Sequence, residues 1–290
     1  RALAKAQQLE KAGAPERAIW SDTGWFRGAD KKWRFEIDDS LAKFNPSMAD
    51  GGLVENAIQN GTPGMNFGPT VGPGMNGNLY HPALFDAYGK DLPQNTFIGN
   101  KNTLFGDGVQ GAFDSATDSI TLNAPVQPRD GRSTLLHELQ HAVQQREGFA
   151  RGGTPSQFTQ LPPDFRLTAQ QLISVDETAK KLGESVDDVA RLSLEPTLAQ
   201  RVNELVKSGQ WDANVNEWRQ NILTPQQQYE RLAGEAEARA VQSRMDMTPE
   251  QRRATFPFDS YDVPRDKLIL RDLLKGPAQS VYHRYTQGGP

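Results

Sequence analysis

The stretch STLLHELQHAVQ, residues 133–144, decides the fold. It contains an H-E-x-x-H string made by His137, Glu138 and His141, in a chain that has four histidines. No Gly or Pro interrupts residues 134–147, and Gly148 follows where a helix-ending glycine is common. We therefore predict a helix over residues 134–147 that begins after Ser133 as its N-cap.

The spacing of this string suits a metal. On a helix, His137 and His141 lie one turn apart on the same face, with Cβ atoms roughly 6 Å apart. Two imidazole nitrogens at that spacing can each reach one Zn²⁺ at about 2.0–2.1 Å. Glu138 is rotated about 100° away, so it is better placed to accept a proton from a metal-activated water than to bind the metal. The alternative is two surface histidines beside an unrelated glutamate.

A hydrolytic zinc needs a third protein ligand and an open position. The segment RLAGEAEAR, residues 231–239, is the best carboxylate source, because small residues flank its two glutamates and allow close approach. Either Glu235 or Glu237 could serve, and the apolar side of the helix lies nearer to Glu237. His81 precedes a proline and is expected in a turn or in the core. His283 lies in an aromatic tail segment. It could hydrogen-bond an oxyanion, but a position without a role at the site is the favoured interpretation.

Elements around the motif form a mixed pattern. The run from Gly24 to Ile37 predicts an aromatic β-hairpin, with a face of Trp25, Trp33, Phe35 and Ile37 that packs on the core rather than forming a binding platform. Other predicted elements are helices at 2–12, 82–92, about 225–244 and several within 167–223, a strand at 96–99, and a hairpin over 111–123 that includes the strand Ser119–Leu122.

Two segments do not match a compact catalytic core. Residues 58–79 are rich in Gly and Pro, which predicts a flexible loop without regular structure, either disordered or acting as a flap near a cleft. The long separation between His141 and either glutamate implies that the helical stretch 154–224 is an insertion into a single domain spanning 1–290.

Composition excludes several classes of protein. The chain of 290 residues has no cysteine, which rules out disulfides, iron–sulfur sites, a thiol nucleophile and thiolate-bound zinc. Its net charge of −4 argues against a nucleic-acid partner. No apolar run approaches the ~18 residues of a membrane span, and no secretory signal is visible. The chain begins at Arg1 rather than Met, so we expect a piece of something longer.

The motif resembles those of the zincin metallopeptidases. In the gluzincin branch the third ligand comes from a Glu followed three residues later by a small residue and then Asp or Asn; this pattern selects Glu235, although Arg239 stands at its last position. The resemblance implies an α+β, mostly helical zincin-like fold with a small sheet before the H-E-x-x-H helix. It implies a zinc endopeptidase in which Glu138 takes the water proton and passes it to the leaving amine. Tyr229, Tyr261 and His283 are candidates for an oxyanion or outer-sphere contact.

A narrower resemblance is to zincin-like domains in large polyvalent proteins of bacteriophages and mobile elements. It is carried by three stretches, TGWFRG with WRFEI, STLLHELQHAVQ with FARGG, and RLAGEAEAR through MTPE. It implies a phage-related peptidase, located in the bacterial host cytoplasm or the virion, with a peptide substrate and the rest of a larger phage polyprotein or virion component as partners. Rival readings are a virion structural module without turnover and a zinc hydrolase of peptidoglycan.

Overall fold

The computed structural model describes residues 2–45, 65–66, 71–72, 78–100, 109–124, 128–158 and 163–270. Over these residues the chain is mixed α+β and mostly helical, as predicted, with eleven α-helices and three small sheets. It forms two compact units: the first joins residues up to 152 with the segment that starts at 232, and the second contains residues 153–231. No helix among the described residues is both long and apolar enough to cross a bilayer.

Six helices belong to the first unit and five to the second. Those of the first are α1 (Ala2–Lys11), α2 (Glu16–Thr23), α3 (Pro82–Tyr88), α4 (Pro128–Glu147), α10 (Ala233–Arg244) and α11 (Pro249–Ala254). Those of the second are α5 (Pro163–Leu182), α6 (Val186–Ser193), α7 (Pro196–Lys207), α8 (Trp211–Asn221) and α9 (Pro225–Glu230).

All described strands belong to the first unit. They are β1 (Trp25–Arg27), β2 (Trp33–Phe35), β3 (Lys43–Phe44), β4 (Met65–Asn66), β5 (Val71–Gly72), β6 (Leu79–Tyr80), β7 (Asn95–Asn100), β8 (Gly111–Asp114) and β9 (Ser119–Ala124). The largest sheet has the order β4-β7-β9-β8, with β7 parallel to β9 and the two outer pairs antiparallel. The strand predicted at Ser119–Leu122 is therefore internal, and β8 pairs with a neighbour on one side among the described residues.

The aromatic hairpin forms as predicted, but its faces are exchanged. Strands β1 and β2 pair antiparallel, with Phe26 opposite Arg34. These two side chains are buried, whereas Trp25 and Phe35 stack on each other at 5.4 Å and Phe35 is 54% exposed. The prediction that this face packs on the core was wrong for Phe35, because Phe26 and Arg34 fill the inner side of the strand pair, but it holds for Ile37, which packs against the core of the first unit.

The H-E-x-x-H helix α4 is longer at its start than predicted. It begins at Pro128 rather than after Ser133, which therefore lies inside the helix and is not its N-cap. Proline is tolerated in a first helical turn, and Arg129 and Arg132 both pair with Asp246 after α10, which stabilises the added turn. The predicted end is confirmed, since Gly148 has a φ of +63°.

Two other predictions need correction. The helix expected over 225–244 is interrupted, because Leu232 is extended and forms a β-bridge with Ile269, so α9 ends and α10 begins anew. Much of the loop predicted at 58–79 lies outside the described residues, but its pairs 65–66, 71–72 and 79–80 form short strands. Backbone pairing with neighbouring strands supports these residues despite their Gly-rich surroundings.

The core of the first unit joins the sheet to α4. Ile120 and Leu122 of β9 are fully buried in one cluster with Leu135 and Leu139 of the helix. Burying such side chains stabilises the unit by roughly 1.5–3 kcal/mol each. The sheet therefore holds α4 by its apolar side and leaves its histidine face for α10.

Candidate metal centre

Helices α4 and α10 bring together three side chains of the kind that binds metal. The Nε2 atoms of His137 and His141 are 3.2 Å apart. Glu235 approaches both, with Oε2 at 3.4 Å from His137 Nε2 and Oε1 at 3.4 Å from His141 Nε2. Among the described residues this group could hold a metal ion, with ligand atoms all within 4.8 Å of one another.

The donor set and its spacing fit a zinc ion. Two imidazoles and one carboxylate are a known catalytic zinc set, and ligand atoms about 2.0–2.1 Å from a tetrahedral centre lie roughly 3.3 Å apart. The 3.2 Å between the two Nε2 atoms agrees with that value, and each imidazole has one Glu235 oxygen at 3.4 Å, a different oxygen for each ring. A Cβ atom at Gly152 would collide with Glu235 and come within 2.5 Å of His141 Cε1, so glycine leaves room for this arrangement.

Two glutamines orient the imidazoles from behind. Gln144 Oε1 lies 2.9 Å from His141 Nδ1, and Gln242 Oε1 lies 3.1 Å from His137 Nδ1. An amide oxygen at this position accepts a proton from Nδ1, which is the tautomer that frees Nε2 to bind a metal at the common centre. Gln242 is anchored in turn, because its Nε2 donates to the Ser133 carbonyl and hydroxyl at 3.2 and 3.0 Å.

Glu237, the alternative third ligand, lies on a different side of α10. Its carboxylate accepts from Arg34 Nε at 2.5 Å and from Gln144 Nε2 at 3.3 Å. The structure thus brings Glu235, and not Glu237, to the two histidines. Arg239, which departs from the gluzincin pattern, forms an ion pair with Asp262 and leaves the outer contact of His137 to Gln242.

Glu138 is buried beside the centre and is held by strand β8. Its Oε2 accepts the backbone N–H of Phe113 at 2.8 Å. Asn123 N donates to Gln110 O, so Gln110 and Asn123 form a hydrogen-bonded pair. In an antiparallel sheet every second residue faces the neighbouring strand, so Ala112 and Asp114 also bond to β9. The amide of Phe113 therefore points away from β9. The catalytic-base candidate thus touches the edge strand of the sheet.

Burial and charge act in opposite directions on these groups. Burial raises the pKa of Glu138, and the nearby imidazoles of His141 and His137 only partly offset it. For His141, burial lowers the pKa, but the Glu235 carboxylate outweighs this and raises it to about 9. The negative charge of Glu235 thus favours a proton on His141 when no cation is bound. A divalent ion can take the place of that proton.

The remaining candidates lie elsewhere. His81 is a fully buried core residue, as expected: its Nε2 lies 2.8 Å from Asp39 and its Nδ1 accepts the Leu84 amide. Tyr229 is a partly exposed residue of α9 in the second unit. Tyr261 stacks on Phe258 at 4.7 Å, and burial raises its pKa. His283 lies outside the described residues.

Several contributing residues were missed from the sequence. Gln144 follows His141 by three residues and Gln242 follows Glu235 by seven, so helical spacing alone places each on the same side as a ligand. Arg34 and Gly152 carried no such signal, because their contacts with Glu237 and Glu235 join distant parts of the chain.

Comparison with known proteins gives one match. A family model described as large polyvalent protein associated domain 23 matches residues 1–45, from α1 through β3. The match links this chain to large polyvalent proteins. No curated protein and no solved structure matches it. The matched segment includes Arg34 but none of the three metal-type side chains.

Proposed function

We propose that this chain is a zinc-dependent endopeptidase associated with a large polyvalent protein. The observation that carries the proposal is the convergence of His137, His141 and Glu235, whose ligand atoms lie within 4.8 Å of one another, with Glu138 buried beside them. The link to polyvalent proteins rests on residues 1–45. A phage origin and a location in the host cytoplasm or virion are part of the proposal.

In this proposal each residue has one task. Bound zinc would supply Lewis-acid polarisation of a water molecule and of the scissile carbonyl. His137, His141 and Glu235 hold the ion, while Glu138 accepts a proton from the water and delivers it to the departing amide nitrogen. The hydrogen bond from the Phe113 amide holds the Glu138 carboxylate beside the centre, where it can exchange that proton.

Strand β8 is the proposed platform for the peptide. Among the described residues β8 pairs on one side, which leaves the backbone groups of Gly111 and the carbonyl of Phe113 directed away from β9; the Phe113 N–H is taken by Glu138. An extended peptide could pair with these groups as an added strand, which would place its backbone next to Glu138.

The first test is metal content. We expect about one zinc per chain in wild-type protein, measured by elemental analysis after gel filtration. Glu235→Ala should lose the ion because it removes a ligand, whereas the control Glu250→Ala, at an exposed position of α11, should keep it. Wild-type protein that stays metal-free in excess zinc would contradict the proposal.

The second test is turnover by Glu138→Gln. The variant should keep its zinc and lose about 10²–10⁴-fold in peptide hydrolysis, because the amide cannot accept the water proton. Glu147→Gln, at the exposed end of the same helix, is the matched control and should keep wild-type turnover.

Substrate choice separates the proposal from its rivals. Wild-type protein and both variants are assayed on an unfolded protein and on purified peptidoglycan. Cleavage of peptidoglycan alone would favour the cell-wall hydrolase, and a zinc-loaded protein that cleaves neither would favour the structural module.

A further inference from the structure

Arg34 is a buried cation clamped between two carboxylates. The side chain lies in β2 and is 5% exposed. Asp30 accepts from its Nη1 at 2.6 Å and Nη2 at 3.1 Å, and Glu237 accepts from its Nε at 2.5 Å. The Phe149 ring, after α4, covers the guanidinium at 4.0 Å. Charge-assisted hydrogen bonds from a buried arginine restrict the positions of its two carboxylate partners.

The contacts continue from Arg34 to the metal centre. Glu237 Oε2 accepts Gln144 Nε2 at 3.3 Å, and the same Nε2 donates to the Gly234 carbonyl at 2.9 Å. The opposite end of the Gln144 amide, Oε1, faces His141 Nδ1 at 2.9 Å. Gln144 is fully buried, so these hydrogen bonds are shielded from bulk solvent.

The direction of this amide matters for metal binding. If the amide were reversed, its N–H₂ would face His141, whose Nδ1 would then have to accept, and the ring proton would move to Nε2. An Nε2 that carries a proton cannot bind zinc. Two acceptors, Gly234 O and the Glu237 carboxylate, favour the productive direction, and Arg34 keeps Glu237 in place.

We propose that Arg34 is a positioning residue for His141, acting through Glu237 and Gln144. The inference rests on the proposed zinc site and adds an outer residue from a distant part of the chain. It also gives residues 1–45 a role: the segment that matches the polyvalent-protein family supplies the cation that orders the site. The hairpin is thus part of the metal centre's framework.

The hairpin also provides a matched control. Arg27 in β1 is held by Glu10 through two hydrogen bonds, at 2.8 and 2.7 Å, much as Arg34 is held by Glu237. The control pair is more exposed and touches none of the residues of the centre named above. Arg34→Lys and Glu237→Gln are therefore compared with Arg27→Lys and Glu10→Gln.

Full-length proteins are titrated with Zn²⁺ against a chromophoric chelator, and with Co²⁺ to record the visible spectrum. In Glu237→Gln we expect zinc affinity to fall about 10–100-fold and the cobalt spectrum to change. In Arg34→Lys the fall in zinc affinity should be smaller. The two control variants should keep the wild-type zinc affinity and cobalt spectrum. The double variant Arg34→Met/Glu237→Leu removes the charges of this pair at similar volume and leaves Asp30 with its backbone donors at Lys32 and Ala150. It is used if a single variant unfolds, and it should match Glu237→Gln.

The outcomes separate the two proposals. If wild-type protein binds Zn²⁺ and the folded Arg34 and Glu237 variants bind it equally well with the same cobalt spectrum, this inference is overturned and the zinc site stands. If wild-type protein binds neither ion, both fail.

Discussion

Two glycines set how closely the backbone approaches the metal-type cluster. A Cβ atom at Gly234, in the first turn of α10, would overlap the backbone of Arg151 and Gly152. A Cβ atom at Gly152 would overlap Glu235. The segment after α4 and the start of α10 therefore meet through bare backbone, and this contact delivers Glu235 to the histidines.

Gly152→Ala tests this contact at the scale of one residue. The added methyl group should displace Glu235 or His141 and lower zinc affinity about 10–100-fold, as loss of an outer contact does. The control is Gly183→Ala, where a φ of +69° strains the new residue but nothing lies within 4 Å. The control should lower the melting temperature and leave zinc affinity unchanged; equal affinity in both variants would show that the close contact is unimportant.

At the scale of elements, the second unit is organised around one buried carboxylate. Asp176 of α5 accepts from Lys180, from Trp211 Nε1 at 3.1 Å and from Arg219 at 2.9 Å. The last two lie on α8, so a single side chain joins the two helices. Trp211 also packs edge-to-face on Trp218 within the apolar cluster of this unit.

Asp176→Asn should destabilise this unit by roughly 1–3 kcal/mol, because the charged acceptor is lost. Burial raises the pKa of Asp176, but the hydrogen bonds from Lys180, Trp211 and Arg219 outweigh it and lower the pKa overall. A lowered pKa stabilises the fold above the unfolded value, about 3.9, and this contribution is lost as the pH falls through the folded value. The difference from wild type should therefore be full at pH 7 and shrink below about pH 4.

Chemical denaturation at several pH values, followed by tryptophan fluorescence, measures this effect. Glu177→Gln is the control, since that side chain is 65% exposed and only 3.5 Å from the same Arg219. It should change stability by less than about 0.5 kcal/mol. A difference between Asp176→Asn and wild type that persists undiminished in acid would count against the ionised carboxylate as its cause.

At the scale of the whole molecule, the two units have separate cores. One apolar cluster joins the largest sheet to α4, and the other lies entirely within helices of residues 153–231. The two ends of the first unit, between which the second unit is inserted, are close together. A Cβ atom added to Gly234 would lie 2.3 Å from the backbone nitrogen of Gly152. The second unit can thus be treated as an insertion between α4 and α10.

Replacing residues 153–231 by a short Gly/Ser linker should leave the zinc site intact. All three ligand-type residues, both orienting glutamines and Arg34 belong to the first unit. Because no contact of the cluster is removed, we expect zinc affinity within about threefold of wild type, which corresponds to less than about 0.7 kcal/mol in binding free energy. Chelator competition measures this affinity. A folded but zinc-free product would mean that the second unit contributes to the centre.

Local features were predictable where the cause is local. The helix carrying His137 and His141, its end at Gly148, the aromatic hairpin and the hairpin before α4 follow from spacing and turn residues that neighbouring side chains dictate. Predictions failed where a distant partner decides. The start of α4 depends on Asp246, the break before α10 on Ile269, and the buried face of the hairpin on Glu237.

The sequence by itself determined that two imidazoles share one helical face with a glutamate beside them, because that relation is a property of the α-helix. For the third side chain the gluzincin-like pattern favoured Glu235 and the apolar side of the helix favoured Glu237, and only the tertiary structure decided between them. The rotation of α10 about its axis is set by the ion pair of Glu237 with Arg34 and by the glycine contact at Gly152 and Gly234, and these partners are far apart in the chain. No periodicity within residues 231–239 encodes that rotation, since it arises only when the hairpin, α4 and α10 pack together.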